Sequence, residues 1–123
     1  MVFQLNMSSE TPIYVQLRNQ IVLGIGHGEL LPGESLPTVR QLAEDIGVNN
    51  MTVNKAYQIL KTEGYIEIDR RHGAKVAQCQ KSDREFKNEL RDKMELAAAE
   101  AKAHGMTYDE YMDFCKTAFQ REG

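Results

Sequence analysis

The chain has 123 residues, 41% hydrophobic and 27% charged, which leaves room for one ordinary domain with a short appendage and excludes a disordered tail. With 15 basic against 18 acidic residues the formal charge is −3, so total charge offers no general attraction to nucleic acid. No apolar run is long enough to cross a bilayer, and Met1-Val2-Phe3-Gln4-Leu5 lacks the basic flank and apolar core of an export signal, so a cytoplasmic protein without membrane contact is expected.

Thr11-Pro12 reads as a helix start, a capping residue followed by proline at the first helical position. Ile13, Leu17, Ile21 and Ile25 then form one apolar stripe, ended by Gly26 and Gly28. Leu30 to Pro37 is too rich in proline for a helix and suits a turn and a short edge strand. Thr38 and Gln41 read as a capping box opening a second helix, whose inward face is Val39, Leu42, Ala43 and Ile46 and whose stop is Gly47. After a short turn, Asn49 caps a third helix with Val53, Ala56, Tyr57 and Leu60 facing inward, ended by Gly64. Tyr65-Ile66-Glu67-Ile68 and Lys75-Val76-Ala77 read as two strands of a hairpin linked by Asp69 to Ala74. Ser82 to Glu85 and Thr107 to Glu110 read as two more capping boxes opening two C-terminal helices. The first presents Phe86, Leu90, Met94, Ala97, Ala98 and Ala101 on one face; the second carries Tyr111, Met112, Cys115, Ala118 and Phe119.

Two short helices joined by a tight turn and followed by a hairpin is the order of a winged helix-turn-helix. The second helix of such a pair enters a DNA major groove roughly 12 Å wide, and the first braces it across the phosphate backbone. The charge distribution permits this. Residues 34–76 hold six basic and six acidic residues, whereas residues 81–123 hold eight and ten, so the surplus acid lies outside the middle segment. Asn50 and Asn54 stack four apart on the third helix, flanked by Thr52 and Lys55, with no acid before Glu63. Asparagine pairs bidentately with adenine, a contact worth about 1–3 kcal/mol of discrimination; the alternative is that both are solvated helix positions. Arg40, beside Thr38 in the first turn of the bracing helix, can reach a phosphate or a guanine edge, or pair with Glu44 instead. Arg70-Arg71-His72-Gly73 concentrates positive charge at the hairpin tip, which suits phosphate or minor-groove contact.

The run Gly28-Glu29-Leu30-Leu31-Pro32-Gly33-Glu34-Ser35-Leu36-Pro37-Thr38-Val39-Arg40-Gln41-Leu42-Ala43 resembles the signature of the GntR family of bacterial transcription regulators. So does Val48 to Tyr57, followed by Leu60 and Glu63-Gly64-Tyr65-Ile66; the resemblance covers about residues 11 to 77. It implies DNA contacts by Arg40, by Asn49, Asn50, Thr52 and Asn54 at the start of the recognition helix, and by the wing around His72-Gly73. Asn50 and Asn54 replace residues that are often basic in relatives, and Arg71 and Lys75 stand where the wing often has glycine and an aromatic.

Only 43 residues follow Gln80, too few for the large effector domains of longer relatives. Two capped amphipathic helices cannot enclose a sizeable ligand pocket, and their apolar faces need a partner. A second copy is the simplest, and the short helical tail resembles that of the YtrA-type branch, whose tail dimerises; the alternative is a tail folded back on its own head. The expected architecture is therefore mainly α with a small β wing: a winged helix-turn-helix over residues 1–77, then a two-helix dimerisation tail over residues 78–123. Phe86, Leu90, Met94, Ala97, Ala101, Tyr111 and Cys115 are its candidate dimer face.

The expected function is a sequence-specific, homodimeric DNA-binding regulator, a repressor acting on a pseudo-palindromic operator. By resemblance it controls a neighbouring operon such as one for a transporter, and any small-molecule effector is unknown. No cofactor is expected. Cys79 and Cys115 are too far apart for a zinc knuckle, and His27, His72 and His104 are scattered, so neither a metal site nor an enzyme is expected. A winged-helix protein-interaction module and a metal- or redox-responsive regulator using His104, Cys115 or Cys79 are the alternatives.

Overall fold

A computed structural model describes residues 3–71, 73–78 and 82–121. The chain forms two compact units, Met1–Cys79 and Gln80–Arg121. The first contains α1 (Ile13–Gly26), α2 (Val39–Ile46), α3 (Asn50–Thr62), β1 (Ile66–Asp69) and β2 (Gly73–Val76). The second contains α4 (Arg84–Ala103) and α5 (Tyr108–Gln120).

The core of the first unit follows from the apolar periods. Leu17 and Ile21 of α1, Leu42 and Ala43 of α2, and Val53, Ala56, Tyr57 and Leu60 of α3 are all buried, with Ile66, Ala74 and Val76 closing it from the hairpin. Every inward residue expected on α3 is buried; on α1 and α2 the outer members of each stripe (Ile13, Ile25, Val39, Ile46) are half-buried. Truncating a fully buried leucine such as Leu60 removes about 2–5 kcal/mol.

Between α2 and α3 the chain turns within a few residues because Gly47 adopts φ +74°, a left-handed conformation costly for a side-chain-bearing residue. The amides of Gly47 and Val48 both donate to the Ala43 carbonyl at 3.0 Å, closing the helix end.

The hairpin is antiparallel, pairing Ile66 with Val76, Glu67 with Lys75, Ile68 with Ala74 and Asp69 with Gly73. Ile66, Ala74 and Val76 face the core, while Glu67 and Lys75 face away and form a 3.7 Å ion pair. Each strand is displaced from its expected position. β1 starts one residue later because the Tyr65 amide is spent on the Leu60 carbonyl, ending α3. β2 starts at Gly73, φ +72°, which shortens the expected link. The edge strand expected before Pro37 takes the form of a bridge between Ser35 and Lys75, backed by bonds from the Gly33 amide to Val76 and from the Leu36 amide to Ala74.

Two helix caps also differ from expectation. Thr11 does not cap α1: Pro12, extended at ψ 147°, takes the cap position without a side-chain bond, while the Thr11 amide donates to the Ser9 hydroxyl and its carbonyl accepts from the Gln16 side chain. Ser82 yields to Asp83, whose carboxylate accepts from the Phe86 amide at 2.8 Å, where a negative charge also suits the helix N-terminus. Thr107 and Glu110 form the expected reciprocal box on α5. No residue of α4 or α5 is buried. Among the described residues, no helix is long and apolar enough to cross a membrane.

Candidate nucleic-acid interface

The interface is built around the N-terminus of α3. Asn49, extended at φ −80°, accepts from the Thr52 amide at 2.8 Å and the Thr52 hydroxyl at 3.0 Å, so one side chain closes the helix start and orients the threonine. With Val53, Ala56, Tyr57 and Leu60 turned inward, Asn50, Met51, Asn54, Lys55 and Gln58 are left exposed. The first turn of α3 carries no acidic residue, so its unpaired amides and positive dipole end are unopposed.

The bracing helix α2 is fixed against this face by one buried group. The Tyr57 hydroxyl donates to the Pro37 carbonyl at 2.7 Å, and burial pushes its pKa well above the ordinary phenol value. Immediately after, Thr38 accepts from the Gln41 amide at 3.1 Å and caps α2, which sets Arg40 in the first turn with 84% of its side chain exposed. Arg40 lies 3.9 Å from Glu44, at the outer limit of an ion pair between two exposed groups, a contact worth under about 1 kcal/mol. Its guanidinium can leave that contact for a phosphate or a base edge.

Lys55 is held by a contact that local sequence does not show. Its ammonium sits 4.0 Å from the centre of the Tyr14 ring on α1, a cation–π contact that leaves the charge at the surface. A second link between α1 and the end of α3 is Arg18, whose Nε lies 2.9 Å from Glu63 and whose guanidinium stands 5.5 Å from the Tyr65 ring. It anchors the point where the chain leaves α3 for the wing. At the wing tip Arg70 and Arg71 are exposed, and Asp69 Oδ1 accepts from the Arg71 amide at 2.6 Å. His72 lies outside the described residues, as do Cys79 and Gln80.

Thr38, Arg40, Asn49, Asn50, Thr52, Asn54 and Lys55 thus lie on α2, on α3 or at their caps, and Arg70, Arg71 and Gly73 lie at the hairpin tip. Sequence reasoning passed over Met51, 80% exposed on the face opposite the buried stripe, and Gln58 two turns on. The signal was present: the inward period that gives Val53, Ala56, Tyr57 and Leu60 also defines Met51, Lys55, Gln58 and Thr62 as the outermost row. An exposed methionine is suited to apolar contact with a thymine methyl. Among the described residues no group of three or more histidine, cysteine or acidic side chains could hold a metal ion.

The family model for bacterial regulatory proteins of the gntR family matches residues 11–76. The chain is 34% identical over 110 residues to the HTH-type transcriptional regulator YhcF of Bacillus subtilis, covering 89% of this chain and 91% of YhcF. It is 40% identical over 81 residues to the HTH-type transcriptional repressor YtrA of B. subtilis, covering 66% of this chain and 62% of that protein. Among solved structures, a transcriptional antiterminator from Listeria monocytogenes superposes with a TM-score of 0.89 at 26% identity, over all of this chain and 96% of the other. The GntR-family factor YtrA from Sulfolobus acidocaldarius gives 0.68 at 38% identity, over 80% of this chain and 99% of that one. The DNA-binding domain of AraR in complex with its operator ORX1 gives 0.54 at 30% identity, over 60% and 92%. The chain belongs to the gntR family of bacterial regulatory proteins, with a YtrA-type organisation, and is a winged-helix DNA-binding transcription regulator.

Proposed function

We propose that this regulator is a homodimeric repressor that acts in the cytoplasm on a pseudo-palindromic operator and has no catalytic activity. The observation that carries the reading is the N-terminal face of α3, where Asn50, Met51, Asn54 and Lys55 are exposed on a helix start free of acid. AraR, whose DNA-binding domain shares this fold, is seen on operator DNA. Asn50 and Asn54 read adenine edges, Met51 meets thymine methyls, and Thr38, Arg40, Asn49, Thr52 and Lys55 anchor the helix pair to the backbone. The wing tip, with Arg70, Arg71, His72 and Gly73, reaches the adjacent groove.

Residues 1–77 act as the DNA-reading domain and residues 78–123 as the dimerisation tail. The tail is assigned to dimerisation because its apolar side chains are uncovered: Phe86, Leu90 and Met94 on α4 are 44%, 43% and 52% exposed, and Phe119 on α5 is 93% exposed. Ala97, Ala101, Tyr111 and Cys115 complete the face. The repressor reading is supported by the name of YtrA, and blocking a promoter requires nothing beyond occupancy. DNase I footprinting on DNA from upstream of the protein's own gene is the test. Two protected half-sites about 34 Å apart, or a multiple of that, are expected; a footprint of one half-site, or none, would remove the dimeric-operator reading.

A further inference from the structure

The apolar stripe of α4 is bordered by two charged flanks of opposite sign. One flank carries Arg84, Lys87, Arg91 and Lys102, spaced at helical intervals; the nearest acid, Glu95, lies at its outer edge, away from the stripe. The other carries Glu89 and Glu100, with Lys93 beside them nearest the stripe and Glu85 at its outer edge, as far round the helix as Glu95 is on the first flank. All of these side chains are exposed, and none forms an ion pair within the described chain. Between the flanks run Phe86, Leu90, Met94, Ala97 and Ala101, the uncovered face described above.

Two copies of such a helix can pair across a two-fold axis in two senses. In the antiparallel sense each flank meets its own copy, so the four basic residues would face four basic residues. In the parallel sense each flank meets the opposite one, and basic faces acidic along the seam. We propose that two copies of this chain pair through α4 in the parallel sense, the Arg84, Lys87, Arg91 and Lys102 flank of one lying against the Glu89 and Glu100 flank of the other. This rests on the homodimer reading and adds to it the helix, the direction and the register: Phe86 meets the region of Phe86 in the second copy rather than that of Ala101. Along a 20-residue helix those two positions are about 22 Å apart.

Photo-crosslinking of the full chain carrying p-benzoylphenylalanine at Phe86 tests this, since the replacement is aromatic for aromatic and leaves both cysteines in place. The expected product is a covalent dimer whose attachment point, mapped by peptide mass spectrometry, falls within residues 83–93 of the second copy. Attachment within residues 97–104 would overturn the parallel sense while leaving the dimer intact. A protein that sediments as a dimer but gives no crosslink at Phe86, and none at Leu90 in a second variant, would overturn pairing through α4. A protein that sediments as a monomer would overturn the dimer reading itself.

Discussion

The hydroxyl of Tyr57, on the inner face of the recognition helix, donates a 2.7 Å hydrogen bond to the carbonyl of Pro37, the residue just before the cap of the bracing helix. Together with the buried Leu42 and Ala43, this bond holds the bracing helix against the recognition helix. Tyr57→Phe keeps the ring and removes the bond, and should cost about 1 kcal/mol of stability together with a several-fold loss of DNA affinity. Urea unfolding and fluorescence anisotropy measure the two effects.

The same bond makes a pH prediction. Burial raises the Tyr57 pKa in the fold, so above the ordinary phenol pKa of about 10 the unfolded chain gives up a proton that the native chain keeps. Its contribution is complete below that pH and is lost progressively as pH rises from there towards the raised pKa of the folded state. The stability difference between wild type and Tyr57→Phe should fall by about 1.4 kcal/mol from about pH 9 to about pH 11. A difference that stays constant over that range would show that the phenol is not protected.

Asn49 caps α3, and the proposed reading adds a second, separable role as neighbour of the DNA. Asn49→Ala removes the bonds to the Thr52 amide and hydroxyl and should destabilise by about 1 kcal/mol. Asn49→Asp keeps the cap and adds a charge suited to the helix dipole, so stability should hold or rise slightly. That charge faces the phosphates, however, and operator affinity should fall at least about tenfold. An Asn49→Asp variant that binds operator as wild type does would mean that Asn49 is a cap and nothing more.

Arg40→Ala, Asn54→Ala and Met51→Ala should each leave stability within about 0.5 kcal/mol of wild type, because all three side chains are exposed. On the proposed reading, losing Asn54 or Met51 should weaken operator binding by about 1–3 kcal/mol, whereas Arg40→Ala, which removes a backbone anchor, should weaken binding about equally on every sequence. For Met51 the effect should vanish on a site whose facing thymine is replaced by uracil, which lacks the methyl group. Gel shifts with matched duplexes would show it; an undiminished effect of Met51→Ala on the uracil duplex would exclude methyl recognition.

Leu90→Asp puts a charge into the uncovered stripe of α4 and, on the proposed dimer, should give a monomer in sedimentation, with the winged unit still folded by circular dichroism. A variant that stays dimeric would move the interface elsewhere.

Much of the winged unit was legible because its signals are local. The period of Val53, Ala56, Tyr57 and Leu60, the left-handed Gly47 and the caps Thr38 and Asn49 each depend on residues within one or two turns. What the sequence did not show depends mostly on distant partners. Thr11 has no capping role because Pro12, extended at ψ 147°, takes the cap position instead of the first helical one, and Lys55 meets the ring of Tyr14 on another helix. The start of β2 at Gly73 reflects pairing with both β1 and the segment Gly33 to Leu36, a register no short window contains. Asp83 displaced Ser82 because two good caps stood side by side and only one carried charge. The candidate DNA face was legible to the same degree: its amides followed from motif and period, whereas Met51 needed the burial pattern to be followed round to the opposite side of the helix.

Titrating operator affinity against salt is the most direct test of DNA recognition by this face. If each copy neutralises three to four phosphates through residues such as Arg40, Lys55, Arg70 and Arg71, the plot of log affinity against log salt should have a slope of about −6, and Lys55→Met should make it less steep by about two for the dimer. A slope near zero, or one that Lys55→Met and Arg40→Ala leave unchanged, would contradict it.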